Sequence, residues 1–391
     1  MKIAKKMTAL LLLAVLAASF TTAFAPQPVG PKPTPIPDQP ASSDINPLTG
    51  LPVDNPALLA LPPALISITN FPISARPQAG LSSAAMVFEM YVGEGSSRLL
   101  ALFYGDYPQS SDLANGETDP SIGPIRSGRL PYESMRKLYN GFLVMASAYK
   151  TIAKNLSEYA NIFGSDSQDI NSAMIDITRL EAIAKANQKE LGNANLSTNQ
   201  FGAAVPEGGK KAAKLWLPYS YLNQIFWHYD AVTGRYLRYM DNADGVTFAL
   251  QTDRLNNQPL GAENVVILFA THHVYAETVI DFDLMYQDPQ PALLLRDGQM
   301  YNIFWTTRNE TYEKTTGKLR PIKFVDAKGN PFPLKPGQTW VQFVPSFTPV
   351  EEVVDSQIWH HLKNRLEPGS GVWAVRFSVP AQEPMPEKLK P

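Results

Sequence analysis

The chain has 391 residues, of which 44% are apolar and 18% are charged, a composition typical of globular proteins with a packed core. Lysine and arginine total 34 against 36 aspartates and glutamates, so no charge imbalance points to nucleic acid or to an anionic membrane surface. Cysteine is absent, which excludes disulfides, thiolate metal sites, cysteine nucleophiles and a lipidated cysteine.

The first 25 residues have the pattern of a bacterial-type signal peptide. Three lysines (Lys2, Lys5 and Lys6) precede an apolar stretch over residues 7–20, and small residues lead to a cleavage site after Ala25. The apolar stretch is too short to span a bilayer comfortably, which favours cleavage over an uncleaved membrane anchor. No later stretch reaches ~18 uninterrupted apolar residues. The sequence therefore predicts a secreted or extracytoplasmic protein of the cell envelope, without a further transmembrane segment.

The rest of the chain divides at changes in composition. Residues 26–45 are rich in proline and hold almost no apolar mass, so they predict an extended tether. A proline-rich ligand for a partner domain is the alternative. We expect an N-terminal domain over residues 46–215, a smaller domain over residues 216–348 and a C-terminal extension over residues 349–391.

In residues 46–215, strands are expected to alternate with helices. Buried strands are predicted at Leu65–Ile68, Leu99–Tyr104 and Gly141–Ala146, one helix at Pro131–Tyr139, and a second helix from a capping box at Thr178 to Gly192. Residues 84–92 fit a strand or a helix. The alternation predicts an α+β (or α/β) fold class with a mixed sheet.

Residues 216–348 predict a smaller, mostly β domain. Aromatic or β-branched runs indicate strands at residues 226–230, 236–239, 265–269, 292–295, 303–305 and 340–344, with a hairpin turn at 326–330. In the C-terminal extension, apolar side chains recur at helical spacing from Val350 to Leu366. They predict one amphipathic helix that ends at Pro368–Gly369.

Five groups of short motifs resemble those of one known family. They are Asn70–Leu81, Glu94–Gly95 with Arg98 and Leu100–Phe103, Ile122–Arg129, Tyr236–Arg238, and Pro336–Val341. Over residues 46–348 the chain is similar to the YerB-like exported proteins, a family defined by two linked domains of unknown function. The resemblance implies export, often as a lipoprotein, and implies no settled activity. This chain departs from the lipoprotein pattern because it has no cysteine to acylate.

A second departure from the family pattern concerns a histidine. The family tends to carry an arginine-rich stretch that ends in Pro-His-Asn-Leu late in the first domain. The corresponding residues here are 193–199, in which Asn195 and Leu196 remain and the histidine is absent. An activity that depended on that histidine is therefore not expected in this chain.

The strongest chemical feature is the sequence Arg126-Ser127-Gly128-Arg129, just before the helix predicted at Pro131. Two guanidinium groups and a hydroxyl would lie beside unpaired N–H groups and the positive end of the helix dipole, which suits a phosphate or a carboxylate. Arginine binds such anions bidentately through its planar fork. The alternative is a turn whose arginines pair with surface acids.

Two further arginines could join this site. Arg76 precedes a proline, which favours an extended or turn conformation, and Arg98 begins a strand that is expected to be buried. Both could converge with the Arg126–Arg129 motif on one anionic ligand. Arg98 could instead form a structural ion pair with Glu89 or Glu94.

Three acids are candidates for general acid–base chemistry, namely Glu89, Glu94 and Asp106. No partner at triad spacing, Gly-x-Ser-x-Gly motif or phosphate-binding glycine-rich loop accompanies them in the sequence. The adjacent His272 and His273 would point to opposite faces of a strand, so they would not bind one metal. The sequence predicts no metal site and no cofactor.

Six aromatic residues of the β-rich part could form a platform for sugar rings. A small β domain also needs aromatic side chains for its core, and this second interpretation is favoured. The six are Trp227, Tyr229, Tyr236, Tyr239, Trp305 and Trp340.

The function that these features favour is non-catalytic binding or scaffolding in the cell envelope. The partner would be an anionic small molecule or an envelope glycopolymer, and nucleic acid is not expected. One alternative is a phosphotransferase acting on polyprenyl-phosphate-linked glycan, because the order of elements is similar to that of the LytR-CpsA-Psr enzymes, without their motifs. The other is a carbohydrate-binding protein.

Overall fold

The structure is a computed structural model, and we describe residues 44–114, 116–162, 173–354 and 368–390. The predicted signal peptide and all but the last two residues of the predicted tether lie outside these residues. Within the described residues, no helix is long and apolar enough to cross a membrane.

Strands make up most of the regular structure. In chain order they are β1 (Ala64–Thr69), β2 (Met86–Gly93), β3 (Ser96–Phe103), β4 (Phe142–Met145), β5 (Ala160–Ile162), β6 (Lys210–Lys211), β7 (Lys214–Ser220), β8 (Asn223–Asp230), β9 (Arg235–Asp241), β10 (Phe248–Leu250), β11 (Gly261–Ala262), β12 (Asn264–Ala270), β13 (His272–Ala276), β14 (Val279–Phe282), β15 (Gln290–Arg296), β16 (Gln299–Thr306), β17 (Lys323–Val325), β18 (Thr339–Pro345), β19 (Val350–Glu352) and β20 (Val372–Val375). The α-helices are α1 (Pro131–Tyr139), α2 (Lys150–Ala153), α3 (Ile177–Leu191) and α4 (Glu310–Thr316).

An eleven-stranded mixed sheet is the main layer of the fold. Its order is β17-β16-β15-β12-β18-β2-β3-β1-β4-β5, with β6 paired to β16. Strands β1, β4 and β5 run parallel, as do β12, β18 and β2, and antiparallel β3 lies between the two groups. All six parallel strands therefore end at the same edge. Because β2 and β18 are neighbours, one sheet crosses the domain boundary that the sequence predicts near residue 215.

A seven-stranded sheet packs against one face of this central sheet. Its order is β10-β9-β8-β7-β20-β19, with β11 paired to β9. Trp227 on β8 and Trp340 on β18 meet between the two sheets, with ring centroids 5.4 Å apart, and both are fully buried. The mixed sheet of the first half and the mostly β second half confirm the predicted fold class.

Helix α1 covers the opposite face of the central sheet. Pro131 begins it at a position where the missing N–H costs nothing, and Asn140 ends it in the left-handed conformation (φ 49°). Its buried Tyr139 packs on Phe88 of β2, with ring centroids 5.5 Å apart. The helix has the bounds that the sequence predicts.

Helix α3 begins before the predicted capping box. Asp176, rather than Thr178, is the N-cap, because its carboxylate accepts a hydrogen bond from Arg179 N (2.8 Å). The helix ends at Gly192, as predicted.

The structure decides one prediction that was left open and corrects two others. Residues 84–92, which fit either structure, contain strand β2. The predicted turn at 326–330 is present, but β18 is not its hairpin partner, because β18 pairs in parallel with β12 and β2. Val350 begins strand β19, so a helix at that point was wrong: pairing with Val375 of β20 outweighs the local helical spacing. The remainder of that predicted helix, residues 355–367, lies outside the described residues.

Candidate functional site

The Arg126–Arg129 motif lies at the carboxyl ends of two parallel strands. Arg126 N donates to Ser67 O of β1 (2.8 Å), and Gly128 N donates to Ser147 O just beyond β4 (2.8 Å). The motif therefore passes across the edge at which β1 and β4 end. This edge of a parallel sheet is where α/β folds bind ligands.

Gly128 allows this close approach. A Cβ atom at this position would lie 2.5 Å from Met145 Sδ, at the end of β4. A side chain at this position would therefore force either the buried Met145 side chain or the motif to shift.

Arg98 lies beside the motif, as the sequence analysis proposed. It pairs with Thr69 at the end of β1, its residue is 5% exposed, and its Nη1 donates to Ser127 O (2.9 Å). The same carbonyl accepts a hydrogen bond from Ser67 Oγ (3.1 Å), and Ser147 Oγ donates to Ser127 Oγ (3.1 Å). Three serine hydroxyls and one guanidinium group thus meet around Ser127.

Tyr132, in the first turn of α1, joins this group through its hydroxyl. Its hydroxyl lies 3.3 Å from Ser67 Oγ. Burial raises the pKa of Tyr132, and the charges of Arg98 and Arg129 oppose this shift. Among the described residues, no side chain caps the start of α1, where Leu130 is the N-cap.

We call Arg98, Arg126, Ser127, Arg129 and Tyr132 the Arg cluster. It brings the Arg98 guanidinium group, the Ser127 and Tyr132 hydroxyls, the backbone of Arg126 and the positive end of α1 to one edge of the sheet. Fixed positive charges and hydroxyl donors of this kind are suited to a phosphate or a carboxylate.

Arg76 lies elsewhere. Its Nε donates to Asn70 O (3.1 Å), and its Nη1 donates to Asp241 O of β9 (2.7 Å). The side chain therefore joins the family motif at residues 70–81 to the seven-stranded sheet. Burial lowers the pKa of Arg76 to about 10, and the nearby charge of Arg238 adds to this effect. Its backbone is extended, as predicted.

Glu89 is fully buried between the two sheets, and hydrogen-bond donors surround its carboxylate. The donors are Asn70 Nδ2 (3.1 Å), Ser97 Oγ (3.0 Å), Arg238 Nη2 (3.1 Å), Trp340 Nε1 (3.1 Å) and Gln342 Nε2 (3.2 Å). We call these six residues the Glu89 network. Five donors occupy the carboxylate oxygens, so Glu89 is held in place by its neighbours and is not placed to act as a base.

The Glu89 network and the Arg cluster lie on opposite faces of the central sheet. Met90 of β2 pairs with Arg98 of β3, whereas Glu89 pairs with Leu99. Because side chains alternate along a strand, Arg98 lies on the α1 face and Glu89 on the face of the second sheet. The ion pair that Glu89 forms is with Arg238, not with Arg98.

The other two candidate acids do not join the Arg cluster. Glu94 is exposed in the turn between β2 and β3, with a left-handed backbone (φ 51°). Asp106 is exposed beyond the end of β3, and its carboxylate accepts a hydrogen bond from Tyr107 N (2.9 Å). Since Phe103 of β3 pairs with Ala64 at the start of β1, Asp106 lies at the opposite edge of the sheet.

The paired histidines lie on strand β13, and most of the aromatic candidates lie in the core. His272 is buried and its Nδ1 donates to Ala270 O (2.9 Å), while His273 is half-buried on the other face of β13. No cluster of metal-ligating residues occurs in the part of the chain that the structure describes. Four of the six aromatic candidates are fully buried in the core: Trp227, Tyr236, Trp305 and Trp340.

The buried partners of Glu89 were not predicted from the sequence. Arg238 and Trp340 belong to motifs that the family resemblance identifies, Tyr236–Arg238 and Pro336–Val341. The sequence did contain a signal for these partners. Arg238 is a charged residue between apolar and aromatic neighbours, and a charge buried in such a strand needs a buried partner.

Two family models match successive parts of the chain. The model described as "Protein of unknown function (DUF3048) N-terminal domain" matches residues 48–206, and the model of the DUF3048 C-terminal domain matches residues 215–341. The chain therefore belongs to the DUF3048 family, which confirms the resemblance inferred from its motifs.

A named relative and a solved structure are similar to the chain. It is 26% identical over 315 residues to "Putative lipoprotein YerB" of Bacillus subtilis (strain 168), covering 76% of this chain and 86% of that protein. The crystal structure of the YerB protein from Bacillus subtilis matches with a TM-score of 0.59 at 24% identity, covering 77% of this chain and 96% of that one. The second match shows a shared fold.

Proposed function

We propose that this chain is an exported protein of the cell envelope that binds an anionic ligand at the Arg cluster. The observation that carries the proposal is the hydrogen bond from the buried Arg98 guanidinium group to Ser127 O (2.9 Å), which holds a cation against the Arg126–Arg129 motif at the start of α1. A phosphate or carboxylate placed there would receive charge-assisted hydrogen bonds from a rigid set of donors. A ligand bound to preorganised groups pays little in ordering them.

The location has separate support. The signal-peptide pattern of residues 1–25 directs a chain to export. The relative named a lipoprotein is of a class that is exported and anchored by a lipidated cysteine. This chain has no cysteine, so it would share the compartment without that anchor.

The placement of the acids favours binding over phosphotransfer. A general base must lie within hydrogen-bond reach of the group that it deprotonates. Glu89 lies on the other face of the sheet, Asp106 at the other edge, and Glu94 in an exposed turn. Burial of four of the six aromatic candidates likewise favours anion binding over a sugar platform.

The test is calorimetric titration of the protein, beginning at residue 26, with inorganic pyrophosphate. Arg129→Ala should weaken binding by about 1.5–3 kcal/mol, the usual contribution of a hydrogen bond to a charged group. Arg126→Ala should also weaken the binding of pyrophosphate.

The control is Arg308→Ala, which removes an exposed arginine that pairs with Asp288 and Glu310 far along the chain. It should bind as the wild type does. Equal affinity of Arg129→Ala, folded and at low salt, would contradict the proposal. Binding of a neutral oligosaccharide in the absence of pyrophosphate binding would favour the carbohydrate alternative instead.

A further inference from the structure

The C-terminal segment adds to the two-stranded ribbon formed by β13 and β14. Gln382 bridges to Val274 in parallel, Glu383 N donates to Val274 O (2.7 Å), and Gln382 Nε2 donates to Tyr275 O (3.1 Å). We call residues 381–390 the C-terminal strap. Its first part is thus attached by hydrogen bonds of the kind that join strands.

The end of the strap is attached by apolar packing. Leu389 is 2% exposed and packs with Leu130, Ile152 and Val279 in a small cluster separate from the main core. Leu130 directly follows Arg129 and is the N-cap of α1. The strap therefore covers apolar side chains next to the Arg cluster.

His273 of β13 sits between the strap and the ribbon. Its Nδ1 lies 3.1 Å from Glu383 Oε2 of the strap, and its Nε2 lies 3.2 Å from Asp283 Oδ2 just beyond β14. A neutral imidazole can donate from only one of its two nitrogens, whereas the protonated ring donates from both. Two carboxylate neighbours, one for each nitrogen, are therefore fully satisfied only by the charged ring.

The other charged groups near His273 are consistent with this state. Asp281 is its cross-strand partner, and Tyr275 stacks on its ring at 5.9 Å. Burial raises the pKa of Asp281, and the charge of Lys388, in the strap, opposes this shift. Burial acts to lower the pKa of His273, but the hydrogen bonds and charges of Glu383 and Asp283 outweigh burial and raise it.

We propose that protonation of His273 fastens the C-terminal strap to the ribbon, and that loss of this proton loosens the strap and uncovers Leu130 beside the Arg cluster. Because the pKa of His273 is raised by folding, this contribution is fully present below the usual histidine pKa of about 6.5 and is lost as pH rises through the higher folded value. The attachment is therefore firm in mildly acidic surroundings and weaker in alkaline ones.

The test is amide hydrogen exchange of the strap, with rates corrected for the intrinsic effect of pH. We expect peptides covering the strap to be protected about 1.5- to fivefold more at about pH 6 than at about pH 9, the range that half-exposed ion pairs supply. His273→Asn should remove this dependence. His228→Asn, which changes an exposed histidine on β8, should retain it.

A second variant distinguishes the apolar contact of the strap from the protonation of His273. Leu389→Ser removes the apolar contact and leaves His273 in place, so strap exchange should rise at both pH values. If the wild-type strap exchanges equally at both, or if His273→Asn keeps the wild-type dependence, the proposal is wrong. If Leu389→Ser leaves strap exchange unchanged, the segment does not dock as described, which also overturns it.

Discussion

Arg238 and Glu89 form an ion pair of 3.1 Å whose side chains are 1% and 0% exposed. Arg238 comes from the second sheet and Glu89 from the central sheet, so the pair links the two layers. The Arg238 guanidinium group also lies over the Trp340 ring, 4.6 Å from its centroid. Such a pair is costly to break, because either partner alone would be a buried, uncompensated charge.

The first prediction concerns this pair. Glu89→Gln should lower the free energy of unfolding by about 3–5 kcal/mol, since Arg238 keeps its charge in a buried site. Glu89→Gln combined with Arg238→Met should recover part of that loss. Urea denaturation measures both. Glu181→Gln, at an exposed pair with Lys185, is the control and should cost at most about 1 kcal/mol. A Glu89→Gln loss no larger than the control would contradict the burial of the pair.

A second prediction concerns the two halves of the chain. Residues 46–209 and 210–391 expressed separately should not unfold cooperatively, because separation cuts the central sheet between β2 and β18 and divides the Glu89 network. Circular dichroism during urea denaturation measures this. Mixing the two fragments should restore a cooperative transition. A sharp transition in either fragment alone would show that the shared sheet is not needed.

The third prediction concerns Gly128. Gly128→Ala should cost about 1–3 kcal/mol, because the new Cβ would meet Met145 Sδ at 2.5 Å. Gly202→Ala is the matched control, since its nearest atom would be Pro333 Cβ at 3.7 Å, an ordinary contact. Thermal or chemical unfolding compares the two. Equal stability of the two variants would contradict a tightly packed contact between Gly128 and the Met145 side chain.

The fourth prediction concerns pH and His272. Burial lowers the pKa of His272 to about 4, so the unfolded chain takes up this proton more readily than the folded one. Stability should therefore fall as pH drops from about 6.5 toward 4, by about 2 kcal/mol at pH ~5. His272→Asn, whose amide can still donate to Ala270 O, should show that much less loss between pH ~7 and ~5. An identical pH profile would mean that His272 is accessible to water.

Local pattern predicted the local elements of this fold well. Pro131 at the first turn of α1 and Gly192 at the end of α3 are short-range signals, and the two helices followed them. The helix predicted from Val350 was wrong at its start, because the helical spacing of the apolar residues competes with pairing to β20, which lies beyond residue 370. The parallel pairing of β2 with β18 joins residues about 250 positions apart, and no local pattern specifies such a partner.

The candidate site was predictable to a similar degree. Arg98 and Ser127 are brought together because strand ends at one edge of a sheet are neighbours. Arg76 was expected there too, but the chain carries it to the face of the second sheet. Strand alternation placed Glu89 away from Arg98, and this could have been anticipated only with the register of β2 against β3 known.

The most direct test of the proposed anion site is to locate a bound anion. Crystals soaked in tungstate, a heavy phosphate-like anion, should give an anomalous peak within hydrogen-bond distance of Arg98 or Arg129, near the start of α1. The peak should be absent from crystals of Arg129→Ala and present in crystals of Arg308→Ala. Peaks found only at other surface sites, or an unchanged peak in Arg129→Ala, would contradict anion binding at the Arg cluster.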